Sequence, residues 1–327
     1  MHQTEIVNLE DLVSADHTYR RFAEVLDFCV VEREISKIEK DAAYKGFGGL
    51  RLFKCCLLQF LEDLSDRHGE RFFRENLAAR WFCGFGLSET TPDHTVLCRF
   101  RARLGTQTLS KIFGIFRAQL KAKGLINEVF TFVDASALIA KAALWEERDE
   151  AIKQGYEKLN NDVLPKIAHD VQARIGSKGK KKFWYGYKKH VSVDMQSGLI
   201  NKVAVTPANL TDDQGFRHVC PRSGAVYADK GYCTKPVVRE TKRRGIHLAA
   251  IKKNNMKDKN RDLDRWLSGI RAPYERVFSQ QNRRVRYGGI AKNQFAEFMN
   301  AICFNIKRLL VIEPVWGIKP PQSCHST

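Results

Sequence analysis

The sequence predicts a mixed α/β fold, with helices covering a sheet, preceded by an all-helical N-terminal domain. Three observations carry that expectation. The first 125 residues place apolar side chains at helical spacing between glycine and proline breaks. After Val129 the pattern turns to short apolar or alternating runs, in the order strand, hairpin, helix, strand, helix, strand, helices. That order suits a layered α/β domain. The length, 327 residues, is also about twice the roughly 150 residues of a typical domain.

Taken in order, Leu50–Leu64 reads as a helix, and Arg71–Phe82 as another after a break at Gly69, with Gly84 and Gly86 in the next turn. Asp93, after Thr91-Pro92, is an expected helix N-cap. In the segment that follows, Arg99 and Arg103 share one helical face and Arg101 lies off it; a second helix, Leu109–Lys123, stops at Gly124. Two helices joined after Gly105 fit either a DNA-binding pair or an arginine-bearing solvated surface. Phe130–Ala140 reads as a buried strand, and Trp145–Ile175 as a polar connecting or inserted segment. Ser177–His190 interleaves lysines with Phe183, Trp184, Tyr185 and Tyr187, a pattern suited to phosphate contact and base stacking or to a basic loop. Tyr187–Asp194 and Leu199–Pro207 alternate around a Gln196-Ser197-Gly198 turn and form a hairpin. Thr211 caps a short helix, Ala225–Asp229 is a strand, Thr234–Arg244 a basic helix closed by Gly245, and Ile246–Ile251 a strand. From Tyr274 the chain is helical again, with a break at Gly288-Gly289.

Composition sets the class. Hydrophobic residues make up 43% and charged residues 28%, as in ordinary globular proteins. No apolar run reaches the roughly 18 residues of a membrane span, and Met1–Glu10 lacks the features of a signal peptide. The nine cysteines, without regular spacing, read as reduced thiols of a cytoplasmic protein. The net charge of +18 is almost all in the second part: residues 1–130 carry +1 and residues 131–327 carry +17. Such a field attracts polyanions, above all nucleic acid. There are no repeats, and no P-loop, GxGxxG or HExxH motif. His190 and His218 have no partner at metal-ligand spacing, and Asp194, Asp212 and Asp213 read as turn and helix-start acids.

Two acids sit where acids are costly. Asp134 lies inside an apolar run and Asp229 ends one. Each taken alone fits a turn or strand-edge acid. Together, on neighbouring strands, they fit a shared site, because a carboxylate in a β-core needs a cation. Carboxylates holding Mg²⁺ leave positions open for water and substrate oxygens, and two such ions can serve an in-line phosphodiester displacement. A third acid would come from the C-terminal region, where Glu275, Glu297 and Asp264 are the candidates; Glu275 has the most basic setting.

These residues carry a resemblance. Val133-Asp134-Ala135-Ser136, the hairpin Tyr187-Lys188-Lys189-His190 to Ser197-Gly198-Leu199-Ile200, Ala228-Asp229-Lys230-Gly231-Tyr232, and Glu275 with Arg271 four before it resemble the DDE transposases of bacterial insertion sequences. The nearest group is the family named after insertion sequence five. Leu57–Leu61, Arg80–Gly84 and Asp93-His94-Thr95 are similar to that family's N-terminal helical domain. The resemblance implies an RNase H-like core with Asp134, Asp229 and Glu275 as catalytic and metal-binding triad, two Mg²⁺ ions (with Mn²⁺ able to substitute), and phosphate contacts from Lys188, Lys189, Lys230, Arg271, Arg283 and Arg284. The family's third motif is Tyr, two residues, Arg, three residues, Glu, six residues, Lys; here Ser268 stands for the Tyr, Asn282 for the Lys, and Gly288 replaces an arginine of a following RYRG segment. The implied organisation is a DNA-binding and dimerisation domain over 1–125, a catalytic domain over 126–313 with an insertion at about 145–182, and a tail over 314–327. The implied partners are double-stranded DNA, as terminal inverted repeats and target, and further copies of the chain in a homodimer or larger synaptic assembly. The implied location is the cytoplasm, at the nucleoid when bound. A nuclease that cuts without joining, and a non-catalytic DNA-binding descendant, remain alternatives on sequence grounds.

Overall fold

The computed structural model describes residues 8–25, 27–39, 46–140, 168–178, 182–253, 256, 259–279 and 284–316. The chain forms two compact units: Met1–Phe116 with Ile302–Thr327, and Arg117–Ala301.

The first unit is helical, with α1 (Leu9–Leu12), α2 (Thr18–Val25), α3 (Phe28–Glu39), α4 (Gly49–Leu61), α5 (Asp66–Glu75), α6 (Leu77–Cys83) and most of α7 (His94–Ala122). Helix α4 is its centre: Leu52, Phe53, Leu57 and Leu58 are fully buried, each worth about 1.5–3 kcal/mol of apolar burial. The break expected at Gly69 falls elsewhere. Helix α5 starts after the Ser65 cap and runs through Gly69 to Glu75; the chain breaks at Asn76, whose Oδ1 accepts the Ala79 N–H at 2.8 Å. A short polar side chain that captures a backbone N–H ends one helix and starts the next. Asp93 caps α7 as expected, accepting from Val96 N at 2.8 Å. Gly105, at φ +62°, interrupts α7. Arg99 and Arg103 are exposed, whereas Arg101 is buried and donates to Gln59 and Asp66 at 2.9 and 2.7 Å.

The second unit contains β1 (Phe130–Ile139), β2 (Arg174–Lys178), β3 (Lys182–Asp194), β4 (Ile200–Pro207), α8 (Asp212–Val219), β5 (Ala225–Ala228), a 3₁₀ turn (Lys230–Tyr232), α9 (Lys235–Arg243), β6 (His247–Ala250), α10 (Arg261–Ser279) and the start of α11 (Ile290–Trp316). Strand β1 is central. It pairs antiparallel with β3, which pairs antiparallel with β4, and it pairs parallel with β5, which pairs parallel with β6. Three antiparallel strands followed by two parallel ones, with the first in the middle, is the RNase H-like order.

Two elements depart from the sequence reading. The stretch read as connector and basic segment contains β2 and the start of β3, paired antiparallel from Arg174↔Gly186 to Lys178↔Lys182; most of the insertion expected at about 145–182 lies outside the described residues. Helix α10 begins at Arg261, not Tyr274, and passes through Pro273. The proline masks the helix in sequence because it removes one intrahelical donor, while Asn260 caps the true start by accepting from Leu263 N at 3.0 Å.

The sheet has two covered faces, as its alternation requires. Val133, Val226 and Ala228 pack with Phe216 and Val219 of α8 and Val237 of α9. On the opposite face Phe132 meets Tyr274 of α10, and Leu138, Tyr187 and Val205 pack with Ile290 of α11. Asp134, two residues from Phe132, shares that second face. Asp194 ends β3 and holds the hairpin turn by accepting from the backbone N–H groups of Gln196 and Ser197, both at 3.0 Å.

Candidate active site

Strand pairing brings the first two acids together. The β1–β5 register ends at Val133↔Ala228; Asp134 is the next residue of β1, and Asp229 directly follows the end of β5. Asp134 is half-buried; burial pushes its carboxyl up to about 6, the nearby Asp229 charge adds to the rise, and the Ala135 N–H and Arg271 oppose it. Asp229 sits where β5 gives way to the 3₁₀ turn, with its Oδ1 accepting the Lys230 N–H at 2.7 Å.

The three candidates for a third acid differ in the cation that each lies near. Of the three candidates, Glu297 is buried against Lys189, 3.1 Å away. Asp264 accepts the Lys252 N–H at 3.3 Å and lies 3.6 Å from Lys259. Glu275 lies 3.5 Å from Arg271 Nη2, and Arg271 Nη1 lies 3.5 Å from Asp229 Oδ1. One guanidinium thus connects Glu275 to Asp229, and its charge also acts on Asp134. The i, i+4 spacing on α10 brings Arg271 and Glu275 together.

The basic candidates fall into distinct settings. Lys230 is exposed immediately after Asp229. Arg284 is exposed and bridges Ile139 at the C-terminal end of β1. That segment is held by buried Asp170, which accepts the Gly289 N–H at 3.0 Å and the Tyr187 hydroxyl at 2.8 Å. Lys188 is largely buried, with Nζ 2.8 Å from Asp212 and 5.9 Å from the centre of the Trp184 ring. Lys189 does not reach the surface: it is 1% exposed and ion-paired with Glu297. The reason is strand alternation, which sends adjacent lysines to opposite faces. Arg271 is likewise buried, its charge directed at the acids and its Cζ 5.7 Å from the centre of the Phe132 ring. Arg283 lies outside the described residues.

Two residues near the acids were not singled out in sequence. Lys178, ending β2, contributes positive charge at Asp134. Tyr232 is fully buried, its hydroxyl has no hydrogen-bond partner, and burial followed by the charges of Asp134, Asp212 and Asp229 raises its pKa. Its place in the Asp229-Lys230-Gly231-Tyr232 run was the available signal.

Asp134, Asp229 and Glu275 offer oxygen donors only, the set that Mg²⁺ and Mn²⁺ take. Among the described residues they are not drawn into a cluster able to hold a metal ion; Arg271 is the cation standing among them. The donor chemistry and this stand-in charge fit a divalent ion, and exposed Glu275 has room to turn toward one. No helix among the described residues is long and apolar enough to cross a membrane.

An RNase H-like sheet that sets one acid on its central strand and another just past the end of the neighbouring strand is the architecture of DDE-type DNA transposases. Residues 7–103 match the family described as Transposase domain (DUF772), and residues 161–306 match the Transposase DDE domain. The second match includes Asp229 and Glu275; Asp134 precedes it. The chain carries these two transposase domains, which together span most of it. It is a DNA transposase, of a family that works with divalent metal ions. A chain from the cryo-EM structure of the piggyBac transposase synaptic complex with hairpin DNA is similar at 9% identity and a TM-score of 0.45, over 93% of this chain and 76% of that one.

Proposed function

We propose that this transposase cleaves the ends of its element and joins the resulting 3′-hydroxyl ends to target DNA, using Asp134, Asp229 and Glu275 as the metal-holding triad. The observation that carries the reading is the single guanidinium of Arg271 between Asp229 and Glu275, beside Asp134. Two Mg²⁺ ions, with Mn²⁺ as substitute, would activate the attacking oxygen and stabilise the leaving one. The protein's own residues set the geometry. Asp134 and Asp229 are fixed by paired strands, so their separation is rigid. Glu275 stands on α10, whose packing through Phe132–Tyr274 fixes its distance from the sheet. Lys230 and Arg284 are the exposed cations suited to phosphates beside the acids, with Lys178 on the β2 side; Lys188 would act by ordering Asp212 and Arg271 by ordering the acids. We further assign recognition of terminal inverted repeats and self-association to the domain of about 1–125, and a homodimer or larger assembly to the active complex.

The test is cleavage of end-containing duplex by purified protein with Mg²⁺ or Mn²⁺. Asp134→Ala is expected to abolish nicking while DNA binding persists; metal-dependent nicking by the purified variant refutes the assignment. Joined products from pre-nicked ends separate transposition from simple nuclease action.

A further inference from the structure

The placement of Arg271 has a consequence beyond the triad assignment, on which it rests. Two other buried arginines, Arg80 and Arg101, are each held by several acceptors. Arg80 is buried and donates from Nε to Gly86 O, from Nη1 to Arg74 O, and from Nη2 to the carbonyls of Gly86 and Glu89. Arg101 donates to Gln59 and Asp66. Arg271 is equally buried but differently held. Its Nε has no hydrogen-bond partner. Its two contacts to acids are both 3.5 Å, well beyond the roughly 2.9 Å of a good N–H···O bond. Its guanidinium is supported through the Phe132 ring, a contact that constrains position without consuming a donor. It is therefore suspended between two carboxylates and locked onto neither.

We propose that Arg271 is a resident counter-ion of the acid triad: its guanidinium occupies the position of the divalent cation, keeps Asp229 and Glu275 within reach of each other, and must withdraw before the metal loads. Arg271 is a positioning residue in this scheme. Two acids from different elements repel one another unless a positive charge lies between them, and a guanidinium with two forked donors spans the gap in a way that an ammonium does not. Any cation that takes the same carboxylates competes with it, because both draw on the same negative charge. Withdrawal of the strap is therefore part of the free-energy cost of metal binding, and removing the strap removes that cost.

The experiment is a Mn²⁺ titration of the full chain followed by electron paramagnetic resonance of the free ion, on wild type, Arg271→Gln, Arg271→Lys and Asp134→Asn, each checked for fold by circular dichroism. Arg271→Gln is expected to bind Mn²⁺ roughly tenfold more tightly than wild type, in the usual range of coupling between two competing interactions. Arg271→Lys is expected to fall between them, because it keeps the charge and loses the fork. A merely structural arginine would lower stability without tightening the metal. Equal or weaker affinity in Arg271→Gln overturns the proposal, and so does Arg271→Lys matching wild type, which would leave only a general field effect. Should Arg271→Gln fail to fold, Arg271→Lys and the wild-type arginine Nε–H resonance decide: the signal absent from Arg271→Lys must move as Mg²⁺ saturates the protein, and a stationary signal overturns the idea. Asp134→Asn separates the two levels. If it loses Mn²⁺ while Arg271→Gln gains nothing, the strap fails and the triad stands. If it binds like wild type, or if no variant binds, the triad fails and the strap with it.

Discussion

Asp134 shows what an acid placed in a sheet asks of the fold around it. Its carboxyl is held at about 6 by burial and by Asp229, above the ordinary carboxylate range. The folded chain therefore keeps a proton there that the unfolded chain has already lost. Stability falls as pH rises from about 4 through about 6, and the penalty is complete above that window. Asp134→Asn is expected to raise stability at pH 7 by about 1–3 kcal/mol and to flatten its dependence on pH across the window, while destroying activity; urea melts at several pH values check this. Lys189 makes the opposite point. It is a basic residue in a basic stretch, but its ammonium is buried against Glu297. Lys189→Ala is expected to cost about 3–5 kcal/mol by stranding that carboxylate. Lys189→Met with Glu297→Leu is expected to cost much less and to leave DNA affinity unchanged, as denaturant melts and binding titrations would show. Asp134 was legible in sequence because a charge in an apolar run needs an explanation. Lys189 was not, because nothing local distinguishes it from Lys188.

At the level of elements, the helices and strands with clear caps and alternation came out where their patterns put them. The capping box of Thr211 and Gln214 starts α8, and Gly245, at φ +67°, follows the end of α9. The failures share a cause. Asn76 and Pro273 are ambiguous locally: asparagine serves as cap or surface residue, and proline both breaks and rides within helices, the outcome depending on packing. The basic-aromatic segment became β2 and β3 because Tyr185 and Tyr187 are buried in the sheet's core, a fact that no lysine count reveals. One close approach couples α8 to the sheet. A Cβ on Gly215 would lie 2.1 Å from His190 Cε1, and burial lowers the His190 pKa to about 4, leaving the imidazole neutral. Gly215→Ala is expected to destabilise the chain by about 1–3 kcal/mol or more through overpacking, with Gly215→Ala/His190→Ala recovering part of the loss in thermal melts.

On the scale of the whole chain, charge is the governing quantity. Residues 131–327 carry +17, a field that attracts polyanions. Binding dominated by phosphate neutralisation weakens steeply with salt, with a logarithmic slope of about −0.9 per phosphate contacted. DNA affinity is expected to fall steeply between low and moderate salt. Asp134→Asn is expected to keep the same slope, because it leaves the basic residues in place; a fluorescence-anisotropy titration at several salt concentrations measures both.

The amino-acid sequence by itself determined the helical first part, the mixed α/β second part, the polyanion-seeking charge, and Asp134 and Asp229 as acids out of place, because periodicity, capping and burial cost act over a few neighbouring residues. Only the tertiary structure decided that Glu275, and not Glu297 or Asp264, shares a guanidinium with Asp229, and that Lys189 is turned inward. A charged side chain takes its role from whatever opposite charge lies within a few ångströms, and that neighbour is supplied by strands and helices far apart in the chain.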